Sequence, residues 1–591
     1  MFMNIIVIIF VLAIAYTWMS RGAFNAMIQA LCVFFAGAIA FSVWEPLAHI
    51  LLGVSDNAIV EGSAWGVSLI LPFAIMMLVF RIAADKVLKA NLKNTTAVDY
   101  GLGAVFGLIT SVLTAGVLVI GIGYMRLPSA FLGYQPVWYS EDRAGAGSLV
   151  ENQKLWIPVD TLTATVYKNL SGGAMSSGEP LKKWYPDLTL TGFAARINQG
   201  DGSARNAITE EGFKVTSSYI IGDPSGNNEN SKKSVVVGDL PFVDIDGKKI
   251  EGEIAGHVAG YVVEFGPKAK EKGSKGGQVV VSNGQIRLLT ERADGSTHTI
   301  FPIATISESS QQGQYGRWVF DSPDLFITSV GGKSRVPMGF EFFVPADEIP
   351  LALYVKGIRV PVSDIQEPRE FDSASARQKL IQTGSLLTGN RVKRKFDLSE
   401  AVVVDESQTG AQFGHSLGTV ISSQLIKQRG ITIDEDNLVT GGSSKFDTKE
   451  ETGRKNASQE KRLRVDKLFV GNGQLMVQVK VGSGEAGGFL SEAGKTLAKG
   501  DEPFMLIDTN DNEYEAVGYI YEDSTINLFE LRYTPGDTLS GLDESGLPRI
   551  SRSKDGQDLT LLFLVSNNVK IKYFTIGDVV LVHYDPELSG N

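Results

Sequence analysis

Gly414-His415-Ser416-Leu417-Gly418 has the form G-x-S-x-G, a motif of nucleophilic catalysis. The serine of this motif works on a sharp turn between a core strand and a helix. Residues 407–413 are mostly small or polar, which does not predict a core strand. An acid and then a histidine should follow the serine, but His583 is the only later histidine. We therefore expect a turn or helix cap at Ser416 and keep it only as the candidate nucleophile of a hydrolase hypothesis.

The acidic turn from Asp508 to Glu513 begins like a calcium-binding loop, because clustered carboxylate and carbonyl oxygens suit hard cations. The sixth position should be glycine and is Glu513, and the twelfth should be glutamate and is Tyr519. A similar turn occurs at 293–296. These features favour two hairpin tips over a metal site.

The rest of the sequence shows no motif of a metal-binding, cofactor-binding or catalytic site. The five histidines are scattered without an i, i+4 pair, and the only cysteine is Cys32. Neither a phosphate-binding loop nor a dinucleotide fingerprint is present. We therefore predict a protein without a catalytic, metal-binding or cofactor-binding set.

Four long apolar stretches near the start of the chain are the elements that determine where the rest of the protein lies. They run over residues 2–19, 24–52, 65–80 and 102–124. At about 1.5 Å rise per residue, each is long enough for a membrane-spanning helix. The first stretch lacks a basic segment before it, so we expect a retained helix and not a cleaved signal peptide.

The charges between these stretches predict the orientation, because short cytoplasmic loops are rich in Lys and Arg. The first connection carries Arg21, and the second carries only Asp56 and Glu61. The third connection carries four basic residues, Arg81, Lys86, Lys89 and Lys93. We therefore expect both termini and the large soluble region in the periplasm of a bacterium.

The distribution of charge along the chain indicates which classes of partner the protein binds. Residues 1–125 hold five basic and five acidic residues, so the formal charge of -11 belongs to the soluble region. An acidic region of this kind argues against a nucleic-acid partner. Membrane lipid is the expected partner of the helices, together with another copy of the chain or another envelope protein.

Small residues and charges mark the predicted helices. Gly103 and Gly107 form a close-packing pair, as do Ala36 and Ala40; each pair serves either the bundle itself or a partner helix. The ionisable residues lie toward helix ends: Glu45 and His49 at the outer end, and Arg21, Arg81, Asp85 and Asp99 at the inner end. We expect these four inner residues to be membrane-interface charges, with an ion relay as the alternative.

The last apolar stretch carries a family resemblance. Asp99 followed by Gly103-Ala104-Val105-Phe106-Gly107, with Arg21-Gly22 after the first stretch, resembles the colicin V production protein (CvpA) family over about residues 1–125. The chain departs from the family at Tyr100, where an arginine is usual. The resemblance implies a four-helix bacterial inner-membrane protein connected with export or envelope homeostasis, and it implies no catalytic residues.

The soluble region contains an internal repeat of alternating strands and polar turns. Residues 286–303 resemble 504–520, and the β-rich runs 340–345 and 351–357 resemble 561–566 and 571–577 in the same order. Short alternating strands bounded by Gly and Asp turns predict immunoglobulin-like β-sandwiches.

The predicted fold is thus a membrane four-helix bundle followed by a mainly-β exoplasmic region with two tandem immunoglobulin-like β-sandwiches. The predicted divisions are a helical domain (1–125), a mixed connector with a helix at 159–170 (126–251), a first sandwich (252–365), a linker (366–463) and a second sandwich (464–591). Within the linker we expect helices at 373–383, capped by Ser373 or Ser375, and at 422–429, and a mobile polar stretch at 441–461.

Three functions follow from this organisation. The first is a non-enzymatic inner-membrane scaffold that projects β-sandwiches to hold a partner or another copy of itself. The second is an oligomeric channel or export component, since four helices line a pore only as an oligomer. The third is a membrane-tethered hydrolase that uses Ser416.

Overall fold

The computed structural model describes most of the chain, and all structural statements concern the described residues. These are 2–54, 58–88, 95–139, 149–176, 178–197, 205–221, 235–236, 253–254, 256–271, 278–309, 313–320, 325–327, 332–371, 373–389, 394–404, 410–428, 430–447, 464–471, 473–482, 502–535, 539, 547–548 and 556–590.

Four long helices open the chain, as the sequence predicts. They are α1 (Phe2–Met19), α2 (Ala23–Val54), α3 (Ala58–Val87) and α4 (Thr96–Gly123). Each is long and apolar enough to cross a membrane, and large apolar side chains such as Ile9 and Ile75 are exposed on their outer faces. The chain is therefore a membrane protein. At 32 residues, α2 is about 48 Å long and exceeds the hydrocarbon core of about 30 Å.

The helices run up and down, so that the chain enters and leaves the bundle at one end. The Met3 amide donates a hydrogen bond to the Leu132 carbonyl, 3.1 Å away, which places the start of α1 beside the residues that follow α4. At the opposite end, Gly22 lies against the Asp99 carboxylate at the start of α4. The β-rich region therefore lies at the end of the bundle where α1 begins.

In chain order, a small hairpin and three helices connect the bundle to the β region. The hairpin pairs β1 (Val137–Tyr139) with β2 (Leu149–Glu151), and the helices are α5 (Val159–Gly172), α6 (Leu181–Trp184) and α7 (Leu188–Ala194). The predicted helix at 159–170 is thus present as α5.

Helix α5 packs alongside the membrane helices. The Tyr167 hydroxyl donates to the carbonyl oxygens of Val33 and Phe34 on α2, each 3.3 Å away, and a Cβ added at Gly37 would lie 2.0 Å from it. On the other side, Thr163 occupies the space that the missing side chain of Gly116 leaves on α4. The sequence placed this helix in a soluble connector, because its own amphipathic pattern does not show which surface it covers.

The first β unit comprises residues 213–371 and contains two main sheets. Its strands are β3 (Phe213–Ile221), β4 (Val235–Val236), β5 (Glu253–Ile254), β6 (Gly256–Phe265), β7 (Val280–Ser282), β8 (Ile286–Arg292), β9 (Thr297–Ile300), β10 (Ala304–Glu308), β11 (Tyr315–Val319), β12 (Leu325–Ile327), β13 (Val336–Pro345), β14 (Glu348–Val355), β15 (Ile358–Pro361) and β16 (Arg369–Phe371). One sheet has the order β11-β10-β13-β6-β3-β16 and the other the order β15-β14-β8-β9. Strands β3 and β16 lie outside the range 252–365 that the sequence marked for the first sandwich.

The six-stranded sheet of this unit is covered on both faces. Alternate residues of β13, such as Phe340 and Phe342, belong to the buried cluster shared with the second sheet. The opposite face carries Glu341 and is covered by α8 (Ala374–Gln382) and α9 (Ser385–Thr388). Of the two predicted capping residues, Ser373 caps helix α8, and its hydroxyl accepts a hydrogen bond from the Ala376 amide.

The second β unit comprises residues 402–589. Its strands are β17 (Val402–Val404), β18 (Ala411–Phe413), β19 (Ser416–Ser422), β20 (Ile431–Ile433), β21 (Val439–Asp447), β22 (Arg464–Lys467), β23 (Gln474–Gly482), β24 (Phe504–Asp508), β25 (Glu513–Asp523), β26 (Leu528–Tyr533), β27 (Gln557–Ser566), β28 (Lys570–Ile576) and β29 (Val579–Ser589), with α10 (Ser423–Gln428) after β19. All of these strands except β19 and β22 belong to one large branched sheet.

The strand pairing contains the repeat that the sequence predicts. In the first unit β6 pairs with β13, β8 with β9 and β14, and β10 with β11 and β13. In the second unit β23 pairs with β27, β24 with β25 and β28, and β25 with β26 and β27. The long strand β25 thus corresponds to β9 and β10 together. Pro302 separates β9 from β10, whereas β25 continues through a register shift between Ala516 and Gly518.

Part of the predicted linker belongs to the second unit, which corrects the expectation of a mobile stretch. Residues 441–447, predicted as mobile, lie in β21, which pairs with β26 through backbone hydrogen bonds that need no apolar side chains. Phe446 is the buried anchor of this strand. Residues 448–461 lie outside the described residues. The short helix expected at 422–429 is present as α10, directly after the strand β19.

The buried core crosses the boundary between helices and sheets. A single apolar cluster contains Trp44 and Leu69 from the membrane helices and Leu288 and Phe340 from the first β unit. The second β unit has separate clusters, such as the one around Phe563. The first β unit and the helices are therefore packed as one body through a common core.

Candidate functional site

Trp44 on α2 is the centre of the contact between the membrane helices and the first β unit. Its ring centre lies 5.7 Å from that of Trp65, 4.8 Å from that of Tyr124 and 5.1 Å from that of Tyr185. Its indole N–H donates to the Trp65 carbonyl at 2.7 Å. Tryptophans near helix ends usually face the lipid headgroups, but Trp44 is buried because the β unit covers this end of the bundle.

A buried ionic cluster lies beside these aromatic rings. Glu61, in the first turn of α3, pairs with Arg205, and both side chains are almost fully buried. Glu271 accepts a hydrogen bond from the Arg205 amide at 2.6 Å and lies 3.6 Å from the Arg126 guanidinium and 4.0 Å from the Lys356 ammonium. Charges in such an environment are stable only when paired, so the cluster fixes the β unit on the helix ends.

Burial lowers the pKa of Lys356 to about 8, although the Glu271 carboxylate opposes the shift. The Lys356 ammonium donates to the Val280 carbonyl at 2.8 Å. Burial also lowers the pKa of Lys270 to about 8, against the opposing carboxylate of Glu515 in the second β unit. Two lysines at this junction therefore lose their charge more readily than surface lysines do.

A cavity of about 570 Å³ lies next to this junction, within the size range of ligand pockets. It runs between α2, the end of α5, the segment around α6, and β15. Its lining combines aromatic and aliphatic side chains with a few charged ones: Phe35, Ala38, Ile39, Phe41, Ser42, Trp44, Glu45, Pro46, His49, Tyr167, Leu170, Ser171, Met175, Glu179, Leu181, Trp184, Tyr185 and Arg359.

Arg359 organises the polar end of this cavity. Its guanidinium lies 3.4 Å from the Glu45 carboxylate, pairs with Glu179 and stacks 4.2 Å from the Trp184 ring centre. Burial alone would lower its pKa, but the Glu179 hydrogen bond and the Glu45 charge outweigh burial and raise the pKa of Arg359. Arg359 is therefore a permanent cation held between two carboxylates.

Four residues that line the cavity each have a buried polar atom without a hydrogen-bond partner among the described residues. These atoms are Arg359 Nη1, Trp184 Nε1, Tyr185 Oη and His49 Nε2. His49 uses its other ring nitrogen for Glu210, 2.8 Å away. An unsatisfied buried donor costs free energy, so this group of atoms favours a ligand that brings hydrogen-bond acceptors.

Ser416, the candidate nucleophile, lies at the exposed start of β19. Its hydroxyl accepts a hydrogen bond from the Gly418 amide at 3.2 Å, and Gly418 has a positive φ of +75°. His415 directs its ring nitrogen to the Leu468 carbonyl at 2.7 Å. A strand begins at the serine, where a nucleophile elbow needs a turn between strand and helix.

The turn at Asp508 uses its carboxylate for its own backbone. Asp508 accepts hydrogen bonds from the Asn510 and Asn512 amides at 2.8 Å and from the Tyr514 hydroxyl at 3.0 Å. This is an Asx-type turn, as the hairpin interpretation predicts. In the described part of the chain, no group of three or more His, Cys, Asp or Glu side chains is arranged to hold a metal ion.

The predicted helix-packing residues are used inside the bundle. A Cβ at Gly103 would lie 3.1 Å from the Met19 carbonyl, and one at Gly107 would lie 2.7 Å from the Ala15 carbonyl, so both glycines face α1. Ala36 and Ala40 are fully buried in the cluster that joins the helices to the first β unit.

The predicted membrane-interface charges lie at the end of the bundle away from the β units. Arg81 pairs with Asp85 at 2.7 Å. Arg21 and Arg81 each place their guanidinium about 5 Å from the Trp18 ring centre, at 4.8 and 5.1 Å. Asp99 lies beside Gly22 at the start of α4.

The sequence identified only part of the cavity. Glu45 and His49 were named as ionisable residues at one end of α2, and their i, i+4 spacing places them on one face. Arg359, Trp184 and Tyr185 were missed because each lies in a different element far along the chain. The apolar motif around Tyr167 was visible as a helix but not as a cavity wall.

No protein-family model matches the chain, and a search of curated proteins finds no significant match.

Proposed function

We propose that the protein is a non-enzymatic scaffold of the bacterial inner membrane that holds two repeated β units at the periplasmic surface. The observation that carries this proposal is the common core of the helices and the first β unit, reinforced by the buried pair Glu61–Arg205. A flexible tether would need no such core. A device that presents binding surfaces at a fixed height and angle does need it.

The joint between the two β units supports the same function. The Ser334 amide donates to the Glu513 carbonyl at 2.8 Å, and its hydroxyl accepts from the Glu515 amide at 2.9 Å. At Gly332, an added Cβ would lie 2.1 Å from the Leu564 carbonyl. Backbone contacts of this kind hold the second unit against the first.

Self-association, in this proposal, uses the second β unit. The glycine pair on α4 is already filled by α1, which leaves that seam closed to a partner helix. Strand β17 lies at the edge of the large sheet, and its Val402 and Val403 side chains are 56% and 62% exposed. An exposed apolar edge strand is a template for pairing with another chain.

Native mass spectrometry of the full-length protein in mild detergent tests this assembly. We expect oligomers for the wild type and a shift to monomer for Val403→Lys, because a charge on an edge strand blocks pairing. Ile526→Lys, at an exposed residue of a turn in the same unit, is the control and should keep the oligomer. A monomeric wild type that brings no envelope protein with it would overturn the scaffold proposal.

The proposed orientation has its own test, since Cys32 is the only native cysteine and is buried. We expect a membrane-impermeant maleimide to label Ser399→Cys in intact spheroplasts, and to label Ser20→Cys only after the membrane is opened. The reverse pattern would place the β units in the cytoplasm.

A further inference from the structure

We propose that the cavity beside Arg359 is a binding site for one phospholipid with a phosphate–ammonium headgroup, of the phosphatidylethanolamine type. The lipid enters from the leaflet next to the β units, with its headgroup at Arg359 and an acyl chain along α2. This inference does not depend on the scaffold function.

The cavity has the polarity gradient of a lipid. Along α2 its lining changes from apolar at Phe35 and Ile39 to acidic at Glu45, which pairs with Arg359. From Phe35 to Glu45 the α2 axis rises about 15 Å at 1.5 Å per residue. The apolar end lies deeper in the membrane, because α2 runs toward the β units. A bound amphiphile would therefore have the same orientation as the surrounding lipid.

The cavity wall is continuous with the lipid-facing surface. Phe35 is 43% exposed and Met175 is 45% exposed although both line the cavity. Helix α5, whose Tyr167 forms part of the wall, exposes Leu162 and Val166 on its outer face. Apolar side chains that are exposed within the membrane contact the acyl chains of lipids. A lipid can therefore enter the cavity laterally from the bilayer.

The unpartnered polar atoms select a headgroup with acceptor oxygens. Arg359 Nη1 and Trp184 Nε1 are donors only, and the Tyr185 hydroxyl adds a third donor. A phosphate diester supplies two unesterified oxygens with several acceptor sites. Arginine and phosphate form charge-assisted hydrogen bonds, which are stronger than neutral ones.

The carboxylates around Arg359 select a headgroup that also carries a cation. Glu45 and Glu179 both pair with Arg359, so one guanidinium already faces two acidic groups. An anionic lipid would add a third negative charge to this site. A zwitterionic lipid brings an ammonium that donates hydrogen bonds to Glu45 or Glu179, and a primary ammonium does this better than a methylated one.

Lipid exchange into nanodiscs tests the proposal. The full-length protein is delipidated, and then reconstituted with mixtures of phosphatidylethanolamine, phosphatidylcholine and phosphatidylglycerol, and retained lipid is measured by native mass spectrometry. We expect one tightly retained phosphatidylethanolamine per chain. Equal retention of all three lipids would mean annular lipid only, and preference for phosphatidylglycerol would overturn the assignment of an ammonium.

Variants locate the bound lipid. Tyr185→Phe removes one donor and keeps the ring, and Trp184→Phe removes one donor and keeps an aromatic side chain. We expect about tenfold weaker retention for each, the size of a hydrogen bond to a charged group. Ala38→Trp fills the apolar part of the cavity and should abolish lipid retention. Leu31→Trp, on the same helix at an exposed residue outside the cavity, should have no effect.

Two outcomes of the variant series would overturn the site. Retention unchanged in both Tyr185→Phe and Ala38→Trp would place the lipid elsewhere. Retention lost equally in Leu31→Trp would show a general effect on the bundle. Glu179→Gln should lower the preference for phosphatidylethanolamine over phosphatidylcholine, and an unchanged preference would remove the carboxylate from headgroup recognition.

Discussion

At the scale of single residues, Glu341 shows how the first β unit keeps a charge inside. Its side chain is fully buried between the six-stranded sheet and α8. It pairs with Arg377 and with Arg317, the latter at 2.6 Å, and accepts a hydrogen bond from the Tyr219 hydroxyl at 2.7 Å. Burial opposes ionisation, but the two guanidinium groups outweigh it and hold the pKa of Glu341 below its ordinary value.

Glu341→Gln should therefore lower the free energy of unfolding by about 3–5 kcal/mol, because it leaves two buried cations without their anion. A carboxylate with a lowered pKa stabilises the fold above its unfolded pKa, and this contribution is lost as the pH falls. Thermal unfolding of the purified protein at pH 7 and pH 4 measures both effects. The wild type should lose more stability on acidification than the variant does.

The control for Glu341 is Glu151→Gln, which removes one partner of the exposed Glu151–Lys154 pair. Exposed pairs contribute little, so its unfolding midpoint should stay at the wild-type value. Equal effects of the two substitutions would show that the buried network has no special role.

Lys356 should produce a pH dependence of the same sign in a more alkaline window. Its folded pKa is about 8, below the ordinary value, so the unfolded chain binds more protons between pH 8 and the ordinary pKa of about 10.5. Stability should rise with pH through this window. Lys356→Met should reduce the rise measured between pH 7.5 and 9.5. The rise should not vanish, because Lys270 titrates in the same range.

A lysine at the surface provides the comparison. Lys480 is half-exposed and pairs with Asp558 at 3.1 Å. Lys480→Met should leave the slope of unfolding midpoint against pH unchanged. A wild-type midpoint that falls between pH 7.5 and 9.5 would contradict the assignment of buried, neutralised lysines.

At the scale of elements, the close contact of α4 with α1 depends on Gly107. A Cβ there would lie 2.7 Å from the Ala15 carbonyl, whereas nothing lies within 4 Å of one at Gly101 on the same helix. We expect Gly107→Ala to lower the unfolding midpoint, because backbone atoms cannot give way as a flexible side chain does. Gly101→Ala should be neutral or stabilising, since alanine favours helix more than glycine does.

The midpoints of the two glycine variants in one detergent provide the measurement. Loss of stability in Gly101→Ala of the same size would show that helix propensity, and not the α1 contact, determines the result.

Elements that carry their own pattern could be predicted from the sequence. The four helices and the repeat of the β units are local signals of length and alternation, and both are present in the structure. The packing of α5 against α2 and α4 could not be predicted, because Gly37 and Gly116 create that space from distant parts of the chain. Strand β21 was missed because its run of glycines and serines, which pairs with β26 through the backbone, carries no alternating apolar pattern.

The residues of the candidate site likewise divide into those that the sequence identified and those that it did not. Glu45 and His49 could be found as ionisable residues in an apolar helix. Their partners Arg359 and Glu210 lie far along the chain, and no periodicity connects them. The site exists because the first β unit folds back onto the helix ends, which is a property of the tertiary structure.

At the scale of the whole molecule, the shared core makes the membrane helices and the first β unit one cooperative body. The Glu61–Arg205 pair lies inside this core, at the start of α3. The second β unit has its own apolar clusters and meets the first through backbone contacts at Ser334. A substitution that destabilises the membrane helices should therefore also destabilise the first β unit, and should affect the second β unit less.

Glu61→Gln tests this coupling, with hydrogen–deuterium exchange in nanodiscs as the measurement. Leaving Arg205 buried without its anion should raise the exchange of α3, β8 and β14 together, while β27 and β28 keep the wild-type rate. Asp85→Asn, at the exposed pair on the far end of α3, should leave all these segments unchanged. Faster exchange in α3 alone would mean that the β unit is only tethered to the helices, and the rigid scaffold would lose its physical basis.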